Sequence, residues 1–146
     1  GRTRGTPRVR FEGKLDRSSD VCGEKLTEPQ VSAALTESAR ELGLDLAFAL
    51  VAPSLTPRPH YALFLDVDAD DARLDELARA VDRRLSRAQH YAYCRDLGQL
   101  GPLCPVRVRD GQRRFQEALA RTSARLGDIK PTRLDRRTEW TEWLSA

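Results

Sequence analysis

Apolar residues recur at intervals of three and four over three stretches of the chain, and each stretch predicts an amphipathic helix. The first helix is expected to begin after Thr27, because Gln30 stands three residues later as in a capping box, and to end at Gly43. The second opens at Asp70 and carries its arginines late, which suits the helix dipole. The third is predicted over residues 112–126.

Shorter apolar or alternating runs between these helices predict strands. Residues 46–51 form an apolar run that ends before Pro53, residues 60–67 alternate, and residues 9–13 and 106–108 are shorter candidates. The resulting order is strand, helix, strand, strand, helix, strand, helix and a basic tail. This order predicts an α+β fold in which a small mixed sheet is packed by about three helices.

Composition indicates one soluble globular domain. The chain has 146 residues, of which 40% are hydrophobic and 32% charged, and it contains no apolar run near the roughly 20 residues of a membrane span. The three cysteines, Cys22, Cys94 and Cys104, form no C-x-x-C pair, so neither a disulfide framework nor a zinc site is indicated. Reduced thiols fit a cytoplasmic protein, and the sequence gives no reason to expect a metal.

Charge is distributed unevenly along the chain. Residues 1–27 and 101–146 contain more basic than acidic residues, whereas residues 28–100 contain more acidic ones. If the two ends meet in space, they form a positive face suited to nucleic acid or to nucleotide phosphate. A patternless, solvated surface is the alternative interpretation.

The usual catalytic groupings are weak. His60 and His90 are the only histidines, and their spacing from Cys22 gives no support to a Cys–His pair. The acidic residues at 66–71 lack the glycine and the final glutamate of an EF-hand loop, so they are interpreted as a turn that supplies helix caps. The sequence contains neither a P-loop nor a Rossmann glycine motif.

Lysine is rare here, and its positions are therefore informative. Only three of the 25 basic residues are lysines: Lys14, Lys25 and Lys130. Lys130 lies in the run Gly-Asp-Ile-Lys-Pro at 127–131. A lysine offers a compact, mobile point charge, which suits a phosphate or a developing oxyanion. An ordinary solvated loop lysine is the other interpretation.

The chain contains no methionine and begins at Gly1. We therefore expect a domain excised from a longer protein. Such a fragment would depend on parts of the parent protein for its activity.

Residues 11–31, which include Gly-Glu-Lys-Leu-Thr-Glu at 23–28, resemble the crossover segment of adenylate-forming enzymes. More narrowly, the chain is similar to the auxin-responsive acyl-acid amido synthetase family. Four later segments continue the resemblance in the order in which that family has them: 59–64, 91–95, 99–103 and 127–131.

This resemblance implies a domain organisation and a mechanism. Residues 1–16 would be the crossover strand and hinge from a missing N-terminal adenylation domain, and residues 17–146 the mobile C-terminal lid. Such enzymes join a small carboxylic acid to ATP, in a Mg-dependent step, as an acyl-adenylate, and an amine, usually that of an amino acid, then attacks the acyl carbon. By correspondence, Lys130 would reach the carboxylate and the α-phosphate, while Lys14 and Asp16 would lie at the hinge. The isolated domain is expected to be inactive and to hold no cofactor of its own.

Two other classes remain open from the residues alone. The basic composition allows a small nucleic-acid-binding module, although the arginines are spread over helix faces and no strand carries paired aromatics for stacking bases. The element order also allows a ferredoxin-like regulatory or dimerisation domain, which no motif supports.

Overall fold

The computed structural model describes residues 18–121 and 132–144. The predicted strand at 9–13 and the last residues of the third predicted helix lie outside these ranges. The described elements, in chain order, are β1 (Ser18–Ser19), β2 (Leu26–Thr27), α1 (Glu28–Leu42), β3 (Phe48–Ser54), β4 (His60–Asp66), α2 (Asp71–Leu85), α3 (Gln89–Asp96), β5 (Cys104–Arg107), α4 (Gly111–Arg121) and α5 (Trp140–Leu144).

A mixed sheet of order β3-β4-β5 forms the centre of the described fold. Strand β3 pairs antiparallel with β4, and β5 pairs parallel with β4. The other edge of β3 is paired as well, since Val51 donates its N–H to the Arg133 carbonyl at 2.8 Å and accepts from the Asp135 N–H at 3.1 Å. Leu134 thus forms a parallel bridge with Val51. The predicted α+β class with a small mixed sheet is confirmed.

Both faces of this sheet are buried, because strand β4 is apolar at successive positions. Tyr61, Leu63 and Leu65 face a core made with α1, α2 and α3. Ala62 and Phe64 face a second core made with α4 and α5. Within that second core the ring of Trp140 stacks on Phe115 with the ring centroids 4.9 Å apart. The sheet therefore separates two apolar layers and fixes the positions of the helices on either side.

The predicted helix boundaries are confirmed at both long helices. Thr27 caps α1: its hydroxyl accepts from the Gln30 N–H, and the Gln30 side chain accepts from the Thr27 N–H at 2.9 Å. Gly43 ends the helix in the left-handed region, at φ 68°, where a residue without Cβ is favoured. Asp70 caps α2 by accepting from the Arg73 N–H at 2.9 Å, so the acidic run is a capping turn as interpreted.

Three local predictions were wrong. Strand β3 continues through Pro53, which had been expected to end it. The N–H groups of alternate residues in a strand point the same way, and the Val51 N–H points away from β4. Position 53 therefore needs no N–H for pairing with β4, and a proline is tolerated there. Helix α3 was missed because it lacks a side-chain cap and buries only Tyr91 and Cys94. Helix α5 lies in the segment expected to be a basic tail.

No helix in the described part of the chain is both long and apolar enough to cross a lipid bilayer.

Replacing the capping threonine tests why α1 begins where it does. We expect Thr27→Ala to lower the free energy of unfolding by about 1 kcal/mol, because the Gln30 N–H loses its acceptor. Thr27→Ser keeps a hydroxyl at this position and serves as the matched control, measured by urea denaturation. Equal losses in the two variants would show that the threonine acts through its methyl group and not through the cap.

Candidate functional site

The three residues predicted to act in catalysis or hinge motion, Lys130, Lys14 and Asp16, all lie outside the described residues. So does the predicted domain boundary between residues 16 and 17. The structure does describe the segments that follow them, from Ser18 onward and from Thr132 onward. The candidate site therefore consists of these two segments and the contacts that attach them to the rest of the fold.

The first segment makes a tight turn around Glu24. Its carboxylate accepts the N–H of Val21 on Oε2 and the N–H of Cys22 on Oε1, each at 2.8 Å. Asp20 accepts the N–H of Gly23 at 2.6 Å, and Gly23 adopts a φ of 100° that favours glycine. Glu24 is only 2% exposed. One buried side chain therefore satisfies most of the turn's backbone donors.

The same carboxylate is joined to the centre of the sheet by Tyr61. The Tyr61 hydroxyl donates to Glu24 Oε2, and Ser19 Oγ lies 2.8 Å from the same hydroxyl oxygen. Burial raises the pKa of Glu24, but the hydrogen bonds from Tyr61, Cys22 and Val21 outweigh it and hold that pKa below its usual value. Burial and the bond to Glu24 raise the pKa of Tyr61. The pair is thus an ionised carboxylate and a neutral phenol, and it attaches the segment beyond the predicted hinge to β4.

The second segment, which follows Lys130, is attached in three ways. Glu28, the first residue of α1, accepts the Arg133 N–H on Oε2 at 3.2 Å. The Arg133 guanidinium donates to the hydroxyl of Thr36 at 2.9 Å. Residues 133–135 also pair with Val51 on the edge of β3. The chain just beyond Lys130 is therefore held against both a helix and the sheet.

An open cleft lies beside this attachment. It has a volume of about 280 Å³ and is bordered by the first turn of α1, the start of β3 and the start of α4. Glu28, Thr132 and Arg133 line it together with Gln112. The cleft thus adjoins Thr132 and Arg133, the first described residues after Lys130.

Other residues of the quoted motifs have structural roles. Asp82 of α2 accepts from the Tyr91 hydroxyl at 2.5 Å and from the Arg95 guanidinium at 2.8 Å, which joins α2 to α3. Burial and the Asp82 carboxylate raise the pKa of Tyr91. Gly101 donates its N–H to the Pro59 carbonyl at 2.9 Å, so the segment before β5 is held beside the start of β4. Through these contacts the motif residues hold neighbouring elements of the fold together.

The thiol of Cys22 is not set up as a nucleophile. Burial, the Glu24 charge and the neighbouring Cys94 raise its pKa to about 12, whereas a catalytic cysteine needs a lowered one. Its Sγ lies 3.7 Å from the Gln99 carbonyl, and the Cys94 thiol donates to the Cys22 carbonyl at 3.3 Å. The described partners of Cys22 are therefore the loop and helix beneath it, and the Cys–His pair considered from the sequence gains no support.

Comparison with known proteins identifies the class of domain. The family model of the GH3 family C-terminal domain matches residues 29–139. The chain therefore belongs to the GH3 family, and the resemblance to acyl-acid amido synthetases is confirmed at the level of the family. None of the curated protein sequences gives a significant match.

A solved structure shares the fold. The chain superposes on a protein described as a GH3.15 acyl acid amido synthetase with a TM-score of 0.71 and 16% sequence identity. The superposition covers 88% of this chain and 25% of that chain. The present chain thus spans about a quarter of the length of that enzyme.

Sequence reasoning missed the parts played by Glu24, Glu28 and Tyr61. The first two belong to the run at 23–28, which served only as a family marker. A signal was present, since a tyrosine on the apolar face of a predicted strand needs a hydrogen-bond partner for its hydroxyl. No local pattern, however, points from Tyr61 to Glu24 or from Glu28 to Arg133, because these pairs are far apart in sequence.

Removing the Tyr61 hydroxyl tests the first attachment. We expect Tyr61→Phe to lower the free energy of unfolding by about 1–3 kcal/mol, because Glu24 stays buried with one donor fewer. Tyr93→Phe is the matched control: Tyr93 is 63% exposed, and the change should stay within about 0.5 kcal/mol. Urea denaturation measures both. A Tyr61→Phe protein as stable as the control would contradict the proposed attachment.

The lowered pKa of Glu24 predicts a dependence of stability on acid. Between the unfolded pKa of about 4.3 and the lower native value, the unfolded chain binds more protons. The stabilisation from Glu24 is therefore present above about pH 4.3 and is lost as the pH falls through the native pKa. Glu24→Gln should flatten this part of the profile of unfolding free energy against pH, and the exposed control Glu142→Gln should not. Parallel profiles for Glu24→Gln and the unchanged protein would refute the assignment.

Proposed function

We propose that this chain is the mobile C-terminal lid of an ATP-dependent acyl-acid amido synthetase and that it is inactive in isolation. Membership of the GH3 family and the likeness in fold to part of an amido synthetase support this proposal. The partner of the lid is its own N-terminal adenylation domain. The substrates are a small carboxylic acid and an amine, and ATP with Mg²⁺ serves the full-length enzyme only.

The proposed reaction has two steps. The substrate carboxylate attacks the α-phosphorus of ATP, so that a carbon–oxygen–phosphorus linkage forms and pyrophosphate leaves. The amine then attacks the acyl carbon, the amide bond forms, and AMP leaves as the amine loses a proton. Lys130 acts in the first step, where its ammonium stabilises the charge that grows on the phosphoryl oxygens.

The attachment of residues 133–135 is the observation that best supports a role for Lys130. A charge that must reach a phosphate needs support that keeps its geometry, because a displacement of about 1 Å is enough to lose much of its effect. The bonds from Arg133 to Glu28 and to Val51 hold the chain only three residues beyond Lys130. A lysine next to such an anchor can extend from the lid while the lid moves as one body.

Lys14 and Asp16 are proposed to lie at the hinge. The turn around Glu24 is joined to β4 through Tyr61, so the first described residues belong to the rigid body of the lid. Rotation of the lid would then be taken up before this turn, in residues 1–16, by changes in a few backbone dihedral angles. A cytoplasmic location is proposed on the basis of the free thiols of Cys22, Cys94 and Cys104.

A nucleic-acid-binding role is the less favoured proposal. Several arginines of the described helices are engaged by carboxylates of neighbouring residues: Arg84 with Glu37 and Glu41, and Arg113 with Asp110 and Glu117. These ion pairs lower the positive potential that the arginines would offer to a phosphate backbone.

The role of Lys130 is tested in the full-length enzyme by separating the two steps. We expect Lys130→Ala to slow acyl-adenylate formation about 100- to 1,000-fold, as the loss of one preorganised charge does. Attack of the amine on preformed acyl-adenylate should change much less, because the lid carries Lys130 away from the phosphate between the steps. Lys130→Arg should rescue poorly, since a planar fork replaces a point charge poorly.

The control is Arg83→Ala, which removes an exposed charge on α2. It should leave both steps unchanged. A Lys130→Ala enzyme that is slowed equally in both steps would contradict the proposed role, and an isolated 146-residue chain that forms acyl-adenylate would contradict the proposed dependence on an N-terminal domain.

A further inference from the structure

Three groups able to bind a metal ion meet beneath the turn at 20–24. The Sγ atoms of Cys22 and Cys94 and a carboxylate oxygen of Glu24 all lie within 4.8 Å of one another. Glu24 and Cys94 are each 2% exposed, and Cys22 is half-buried. Cys22 and Glu24 come from the turn, while Cys94 comes from helix α3, so the cluster joins segments far apart in sequence.

The spacing of these atoms is near that of a tetrahedral metal site. Zinc binds thiolate sulfur at about 2.3 Å and carboxylate oxygen at about 2.0–2.2 Å, which puts neighbouring ligand atoms roughly 3.5–4 Å apart. An upper limit of 4.8 Å therefore requires only a small contraction. The Cys22 side chain is half-buried, and rotation about its Cα–Cβ bond can supply this contraction while the backbone of the turn stays in place.

Glu24 keeps the capacity to bind a cation. Its Oε2 accepts from the Val21 N–H and the Tyr61 hydroxyl, and its Oε1 accepts from the Cys22 N–H. Oε1, which carries two lone pairs, is therefore the oxygen that would ligate a metal. A hydrogen bond such as the one that the Tyr61 hydroxyl donates to Glu24 orients a carboxylate that ligates a metal. The Gln99 carbonyl oxygen, 3.7 Å from Cys22 Sγ, or a water molecule can complete four ligands.

We propose that Cys22, Glu24 and Cys94 form a binding site for a thiophilic divalent cation of the zinc class. Two thiolates with one carboxylate favour a borderline-soft metal over Mg²⁺ or Ca²⁺, which prefer oxygen ligands alone. The bound cation would fasten the turn beyond the predicted hinge to α3. This inference does not depend on the proposed enzymatic role.

A disulfide between the two cysteines is the competing chemistry for this pair. Its formation needs a thiolate to attack an oxidant such as glutathione disulfide. A disulfide would use only the two sulfur atoms, whereas the Glu24 carboxylate lies with both thiols in one cluster. A divalent cation uses all three groups, and the two thiols release their protons as it binds.

Titration of the reduced, tag-free 146-residue chain with Co²⁺ tests the site, since thiolate ligands give Co²⁺ an intense charge-transfer absorption. We expect one Co²⁺ per chain, displaced by one Zn²⁺. Cys22→Ser and Cys94→Ser should each abolish the absorption and weaken Zn²⁺ binding at least about tenfold. Cys104→Ser is the matched control, because Cys104 is exposed and outside the cluster, and it should bind as the unchanged chain does.

Thermal unfolding gives a second measurement that does not depend on the Co²⁺ absorption. Zinc at about 100 times its dissociation constant should raise the unfolding midpoint by roughly 5–10 °C, and the shift should vanish in Glu24→Ala and Cys94→Ser. The midpoints of the metal-free variants show that they fold. The proposal is overturned by a folded chain that takes up no Co²⁺, by absorption that survives in both cysteine variants or depends on Cys104, or by a Cys22–Cys94 disulfide that forms with glutathione disulfide while no metal binds.

Discussion

A carboxylate buried among apolar side chains is tolerated only when donors surround it, and Glu24 meets this condition with groups from two parts of the chain. The N–H groups of Val21 and Cys22 shape the turn, and the hydroxyl of Tyr61 comes from the central strand of the sheet. Because Tyr61 also belongs to the core formed with α1, α2 and α3, the turn cannot shift without disturbing that core. We therefore expect the start of the described chain to move with the sheet as one rigid body.

A second connection fastens the described segment near the C-terminus to the same fold. Glu28 opens α1 and accepts from Arg133, which also pairs with β3. Glu24 and Glu28 stand four residues apart, so one short stretch fastens both the segment after the predicted hinge and the segment after Lys130. In the proposed lid, this arrangement would make Lys130 turn together with the residues that follow the hinge. Under the proposed function this arrangement has a purpose, since a lid that rotates between two reaction steps has to move as a unit.

Local patterns predicted most of the regular elements, because their causes are local. The capping box at Thr27 and Gln30, the stop at Gly43 and the cap at Asp70 each depend on residues within a few positions. Helix α3 was not predictable in this way, because neighbouring elements stabilise it more than its own periodicity does. The same limit applied to the candidate site. The motifs indicated the family, but the pairing of Glu24 with Tyr61 depends on the folded sheet.

The cysteines show the same limit of prediction from local sequence patterns. Their spacing in the sequence gave no sign of a metal site, since metal-binding patterns are usually recognised from pairs close in sequence. The fold brings Cys22 and Cys94 together from distant positions and adds Glu24. A set of ligands assembled in this way becomes visible only once the turn has been placed against α3.

The central claim is that both anchored segments belong to one rigid body, and amide hydrogen exchange in the isolated chain tests it most directly. We predict that the amides of Val21 and Cys22, which bond to Glu24, and those of Val51 and Asp135, which pair at the sheet edge, exchange nearly as slowly as the amides of β4. Exchange at these four amides as fast as in an exposed loop, while β4 stays protected, would show that the segments open independently and would contradict the account.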